Sequence, residues 1–353
     1  MLLPMQDSPL LRRADLAACR ALLRRGSRSF HAASLLLPRR VREPASALYA
    51  FCRIADDAID TGSDAPGAVV ELRRRLERAY AGRPLEIPAD RALADVIARF
   101  AIPHALPFAL IEGLEWDAQG RRYETLDDLE GYAIRVAGTV GAMMTLLMGQ
   151  RDPAVLARAC DLGVAMQLTN IARDVGEDAR AGRVYLPLTW LRDAGIDPDA
   201  LIAQPNHCKR LASVVKRVLD AADVLYRRAD AGIAALPADC RPAIRAARYV
   251  YAEIGREIGK RAFDSVSGRA TVSGASKVRL IARSFAAGAG DATLRQPALG
   301  DALFLLDAIA GSPIPHGMTA PAIRWWNYRE RLLWVLDLFE RLERREQLQR
   351  SAL

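Results

Sequence analysis

Apolar residues recur along this chain three and four positions apart, and almost never in the strict alternation of a half-buried strand. The spacing predicts helices over Leu11–Arg25, Glu43–Asp60, Val69–Tyr80, Arg91–Phe100, Phe108–Ala118, Arg210–Leu236 and Arg241–Ala262. Leu126–Tyr132 leads into another helix, and Lys277-Val278-Arg279 opens one more. Prolines fall mostly between these stretches, where they end helices. The expected fold is all-α, many helices joined by short loops, with no solenoid repeat.

Two stretches carry a second pattern inside the helical one. Read at about 100° per residue, Gln167, Asn170, Asp174 and Asp178 form one polar stripe, and Val164, Leu168, Ile171, Ala172 and Val175 lie on the adjoining face. In Glu43–Asp60, Tyr49, Arg53, Asp56 and Asp60 share a side opposite Ala47, Leu48, Phe51, Ile54, Ala55, Ala58 and Ile59. Aspartates four apart on a helix repel at a cost of about 0.2–0.5 kcal/mol unless something neutralises them. Mg²⁺ would do so, because it takes oxygen ligands and is held by one or two carboxylates plus substrate phosphates. One Asp-x-x-x-Asp alone reads more readily as a solvated helix face; the second copy points beyond that.

Between the two lies Arg135–Met144, apolar on nearly every face after Arg135 and therefore expected to be buried. Gly138 and Gly141 each cost such a helix roughly 1 kcal/mol relative to Ala, which predicts close helix packing or the smooth wall of an apolar cavity. Ala181–Pro187 follows the second aspartate stripe as a loop, a candidate lid. Glu112, Glu115 and Asp117 fit a site or a surface role equally well.

Composition narrows the chemistry. Of the 353 residues 51% are hydrophobic, enough for a large core. Five cysteines without a C-x-x-C pair argue for a reducing compartment and against a zinc site, and four scattered histidines show no ligand spacing. The net charge of +8 suits a polyanionic partner: nucleic acid, an acidic membrane surface or a phosphorylated substrate. A nucleic-acid-binding protein would explain the charge but not the two carboxylate stripes, so no nucleic acid is expected. Met1–Asp7 lacks the features of a signal peptide, and no charge-free apolar run reaches the length of a bilayer span. Gly288-Ala289-Gly290 lacks the strand and third glycine of a dinucleotide fingerprint.

Taken together, several ordered segments resemble the squalene/phytoene synthase family. They are Ser27-Arg28-Ser29-Phe30, Arg53-x-x-Asp56-Asp57-x-x-Asp60, Tyr132-x-x-x-Val136-Ala137-Gly138-Thr139-Val140-Gly141, Gln167-x-x-Asn170-x-x-Arg173-Asp174-x-x-x-Asp178 and Gly182-Arg183-x-Tyr185-Leu186-Pro187. Tyr251, Arg269 and Lys277 fit as well, and the resemblance spans about residues 15 to 285. It departs in Arg28, where many members have lysine, and in Trp116, where many have a smaller residue.

The resemblance implies an all-α terpenoid-synthase bundle around a central cavity, over residues 1–290, with 291–353 as a helical extension packing on it or touching membrane. That extension includes a basic, aromatic amphipathic helix at about Pro321–Gln347. The implied activity is Mg²⁺-dependent head-to-head joining of two geranylgeranyl diphosphates through a cyclopropyl intermediate to phytoene. Mn²⁺ is an alternative ion, and no NADPH is needed. The alternative is a thirty-carbon product from farnesyl diphosphate. By resemblance Asp56, Asp60, Asn170, Asp174 and Asp178 hold the metal. Arg53, Arg173, Arg269, Ser27, Arg28 and Ser29 bind phosphate oxygens, with Phe30 and Gln167 also at the substrate. Tyr49, Tyr132 and Tyr251 line the reaction centre, and Val136, Ala137 and Val140 border a prenyl tail. Oily substrates and product imply a cytoplasmic enzyme peripherally associated with membrane and without an obligate protein partner.

Overall fold

The structure, a computed structural model, describes residues 13–26, 33–60, 64–285 and 292–313. Every regular element among them is helical. In chain order these are α1 (Arg13–Gly26), α2 (Arg39–Asp60), α3 (Ala65–Tyr80), α4 (Pro88–Phe100), α5 (Ala105–Ala118) and α6 (Leu126–Ala133). A π-helical turn, Ile134–Gly138, runs from α6 into α7 (Thr139–Leu147). Then come α8 (Pro153–Arg180), α9 (Leu188–Asp193), α10 (Pro198–Ala203), α11 (Lys209–Ala235), α12 (Arg241–Lys260), α13 (Gly274–Ser284) and α14 (Leu303–Ala310).

The apolar periodicity located the long helices, and local chemistry sets their ends. Asp152 accepts from the Ala154 and Val155 amides at the start of α8, and Pro153 supplies a first position that needs no N–H. Thr125 and Asp128 form a reciprocal capping box on α6. Helix α2 begins a turn earlier than its apolar pattern and carries Pro44 inside, at the cost of one backbone bond. Helix α5 likewise starts before Pro107, which lies in its first turn. The short α9 has no apolar period long enough to predict it.

Helix α8 is the axis of the molecule. At about 1.5 Å per residue its 28 residues span about 42 Å, and α7, α11, α12 and the π turn pack around it. Glycine makes the α7–α8 contact possible. A Cβ on Gly163 would stand 2.4 Å from the Ala137 carbonyl oxygen, and one on Gly141 2.3 Å from that of Ala159. Both obstacles are backbone and cannot swing away. Gly138 meets only ordinary side-chain contacts, so of the two glycines singled out in the sequence it is Gly141 that the packing demands.

Residues 292–313 return to the lower end of α8 and are held there by buried charge. Arg158, whose side chain is wholly buried, donates to the carbonyls of Thr293 (2.8 Å), Leu294 (3.3 Å), Gln296 (3.0 Å) and Pro297 (3.2 Å). Its Nε lies 2.7 Å from the buried Asp161, which also accepts from Arg228 at 2.9 Å. The amphipathic stretch at about Pro321–Gln347 lies outside the described residues.

Glu130, on α6, feels the same charges. Its pKa is pushed up to about 7, by burial first and then by Asp127 and Asp161, against the pull of Arg228. The folded protein therefore keeps a proton that the unfolded chain releases near pH 4.5. Stability from this proton is present below that pH and is lost as pH rises through about 7. Glu130→Gln is expected to flatten this slope and to gain ~1–2 kcal/mol at pH 8, solvent at this partly exposed site damping the full effect. Urea unfolding at pH 5 and pH 8 measures it; equal slopes for both proteins would refute it.

Candidate active site

The two aspartate stripes sit on α2 and α8, and both helices line one end of an internal cavity. Tyr49 and Cys52 of α2, Gln167 and Asn170 of α8, and Tyr251 of α12 line that end. The cavity has a volume of about 370 Å³ and apolar walls: Val136, Ala137 and Val140 of the π turn and α7, Leu162 and Met166 of α8, Ile233 of α11, and Ile244 and Ala247 of α12. It reaches down to Met148, Val155 and Leu236. From Asn170 to Val155 along α8 is about 22 Å at 1.5 Å per residue. A narrow apolar slot with charge at one end suits a ligand with a polar head and a long hydrocarbon tail.

Beyond the lining residues, α2 presents Arg53 and Asp56. The Arg53 guanidinium pairs with Asp57 at 2.6 Å and more loosely with Asp56 at 3.5 Å. On α8, Arg173 grips the carboxylate of its neighbour Asp174 with two bonds, 2.7 and 2.5 Å. Arg269 reaches the same carboxylate at 3.1 Å and Glu177 at 3.5 Å. Arg269 is delivered by the segment after α12, which presses on α8 at Gly176. A Cβ there would meet the Val266 backbone at 2.7 Å, and the Gly176 amide donates to the Ser265 carbonyl at 3.0 Å. Sequence spacing alone could not have joined residues 95 apart.

Asp178, one turn further on, is likewise partly buried. Its pKa is pushed up to about 7, by burial first and by the Asp174 charge second, with Arg183 opposing. Burial also raises the phenol pKa values of Tyr49 and Tyr251, so both hydroxyls keep their protons across the neutral range. Asn170 donates to Gln167 Oε1 at 3.3 Å, while its own Oδ1 is buried without a hydrogen-bond partner.

These features fit a hard divalent cation. An orphaned amide oxygen and a carboxylate whose ionisation is opposed by burial and by a neighbouring carboxylate are the donors such an ion would satisfy. Among the described residues no three His, Cys, Asp or Glu side chains cluster closely enough to cage an ion unaided. The set is therefore suited to an ion that completes its shell with ligand oxygens rather than to a closed protein site.

Several expected residues lie elsewhere. Ser27, Arg28, Ser29 and Phe30 are outside the described residues, as is the side chain of Asp60. Tyr132 was expected to line the reaction centre but does not border this cavity. It is buried, and its hydroxyl donates to Asp117 Oδ2 at 2.8 Å. Tyr185 donates to Asp117 Oδ1, also at 2.8 Å, and the rings of Tyr132 and Tyr185 stack 5.4 Å apart. Periodicity put Tyr132 on the right helix; the π turn after it carries Val136 and Ala137, which line the cavity.

With this geometry the known proteins can be compared. The squalene/phytoene synthase profile matches residues 23–276. The chain belongs to that family. A phytoene synthase of Rhodobacter capsulatus is 53% identical over 278 residues, 78% of this chain and 82% of the relative. One of Cereibacter sphaeroides is 50% identical over 328 residues, 88% and 92% of the two chains. Among solved structures, a ligand-bound dehydrosqualene synthase superposes with a TM-score of 0.71 at 32% identity, covering 77% of this chain and 95% of that one. A squalene synthase from Alicyclobacillus acidocaldarius gives 0.66 at 27% identity, covering 71% and 95%. The family uses prenyl diphosphates and is generally dependent on divalent metal.

Proposed function

We propose that this enzyme is a phytoene synthase, joining two geranylgeranyl diphosphates head to head. The observation that carries the reading is the meeting of two aspartate-bearing helices at the mouth of one long apolar cavity. The relatives at 50–53% identity, named phytoene synthases, support the chain length over the farnesyl alternative.

Asp56, Asp60, Asn170, Asp174 and Asp178 would hold Mg²⁺, with Mn²⁺ as an alternative. Bound there, the ions would neutralise the diphosphates and stabilise the charge that departs with each. Arg53, Arg173 and Arg269 share that task. In this structure they are paired with Asp57, Asp174 and Glu177, and a diphosphate offers them a stronger bidentate partner. Ser27, Arg28, Ser29 and Phe30 are proposed to meet the diphosphate from the amino-terminal loop.

Departure of diphosphate from one substrate leaves an allylic cation. The double bond of the second attacks it, and loss of a proton closes the cyclopropane. A second ionisation, rearrangement and loss of another proton give phytoene, with no reductant consumed. Tyr49 and Tyr251 line that end of the cavity, where aromatic rings would stabilise positive charge. Val136, Ala137, Val140 and the rest of the apolar wall exclude water that would quench the cations. Gln167 orients Asn170 through their hydrogen bond. Substrates and product are oily, so the enzyme is proposed to work at the face of a membrane. No helix among the described residues is long and apolar enough to cross one.

The test is incubation with Mg²⁺ and either geranylgeranyl or farnesyl diphosphate, with and without NADPH, read by mass spectrometry of the hydrocarbon extract. Phytoene from the longer substrate without NADPH is the expected result. A thirty-carbon product from farnesyl diphosphate alone would overturn the chain-length assignment. No product from either substrate would overturn the whole reading.

A further inference from the structure

One partly buried carboxylate has no place in the chemistry above. Asp117, near the end of α5, accepts the hydroxyls of Tyr132 from α6 and Tyr185 from the loop after α8, each at 2.8 Å. A third ring, Tyr123, stacks into the group 5.1 Å from Tyr132 and 6.3 Å from Tyr185. The loop that carries Tyr185 runs from Ala181 to Pro187. It leaves α8 through Gly182, whose φ of +76° only glycine adopts without strain. It rejoins the body where the Leu188 amide donates to the Tyr123 carbonyl at 2.9 Å and the Thr189 amide to that of Glu124 at 3.0 Å.

Between those two ends the loop covers Asp178. Asp178, Arg183 and Tyr185 border a common gap of about 10 Å³, room for a single water molecule. The loop and the last aspartate of the second stripe are thus neighbours with almost nothing between them. A hydrogen bond from a phenol to an ionised carboxylate is short, directional and stronger than one between neutral groups. Two such bonds to one carboxylate join three chain segments that share no backbone ladder.

We propose that Asp117 is a positioning residue: through Tyr132 and Tyr185 it latches the 181–187 loop to α5 and α6 and so fixes the setting of Asp178. The latch stands on geometry alone; its effect on metal rests on the functional reading above. The two are separable by experiment. Asp117→Asn removes the charge and keeps the shape. Tyr185→Phe removes one bond and is gentle enough to fold should D117N fail to. The first readout needs no metal: trypsin cleavage after Arg183 in the full-length protein. Each variant is expected to be cut about tenfold faster than the parent, and the double variant no faster than either single one, because both remove the same contact. The second readout is Mn²⁺ binding with inorganic pyrophosphate, followed by electron paramagnetic resonance. Binding is expected to weaken about tenfold in each variant, the size of effect typical when a group supporting a metal ligand is lost.

Unchanged cleavage in both single variants, or additive effects in the double one, overturns the latch even if melting temperature falls. Faster cleavage with parental Mn²⁺ binding overturns the link to Asp178. A parent that binds no Mn²⁺ strikes the functional reading, and cleavage then decides the latch by itself.

Discussion

Asp174→Asn is expected to lower kcat/KM on the order of 10³-fold with the fold intact, the scale seen when one preorganised group facing developing charge is removed. The reason lies in what surrounds this carboxylate. Arg173 holds it with two bonds and Arg269 reaches it at 3.1 Å, so three charges share one spot at the mouth of the cavity. The amide would no longer serve as an anionic metal ligand. It would also release Arg173 from the carboxylate it grips and leave Arg269 with Glu177 at 3.5 Å, so that both are freer to grip phosphate oxygens. The two effects have opposite signs on binding. Pyrophosphate is expected to bind the metal-free variant at least as tightly as it binds the metal-free parent, while metal-dependent turnover collapses. Calorimetric titration of pyrophosphate without metal, beside steady-state kinetics with Mg²⁺, separates the two. A variant that keeps turnover within threefold of the parent would remove Asp174 from the metal site.

Arg158→Met is expected to destabilise the protein by about 3–5 kcal/mol, the cost of breaking a buried ion pair by removing one partner. Methionine nearly matches the arginine stem in volume, so the loss is electrostatic rather than a cavity. Four carbonyls of residues 293–297 lose their donor, and Asp161, fully buried, keeps only Arg228. Gly232 reports how closely the site is built, for a Cβ there would lie 2.3 Å from that of Arg158. Loss is expected to begin locally, with trypsin cutting after the exposed Arg295 before the helical body unfolds. Urea unfolding gives the magnitude and timed proteolysis the order of events. A change below about 1 kcal/mol would mean that water replaces the guanidinium at the strap.

Much of the protein was legible in the order of its residues. An apolar repeat of three and four is a local property of a helix face, so most of the long helices could be placed from the chain alone to within about a turn, while α8 begins well before the stripe that marked it. The stripes Tyr49–Arg53–Asp56 and Gln167–Asn170–Asp174–Asp178 are equally local, each read from one helix. Gly141 announced a close contact because a glycine in a buried helix carries a cost that something must offset.

What the chain order could not carry is any relation between distant segments. The approach of Arg269 to Asp174 depends on a loop pressing at Gly176, and the identity of a residue says nothing about which backbone will reach it. Tyr132 was placed on its helix correctly, but its bond to Asp117 could not be read from the chain, because the two residues stand on different helices. Asp117 looked like one acid among several on α5 until two phenols from α6 and the 181–187 loop closed on it. How residues 292–313 are held was not legible in their own sequence, because the charges that bind them stand on α8 and α11. Helical faces follow from short-range geometry and hydrophobic burial, and the sequence determined them. The convergence of those faces at one cavity mouth, and the buried charge networks that hold it, depend on contacts between residues tens to more than a hundred positions apart, and only the tertiary structure decided them.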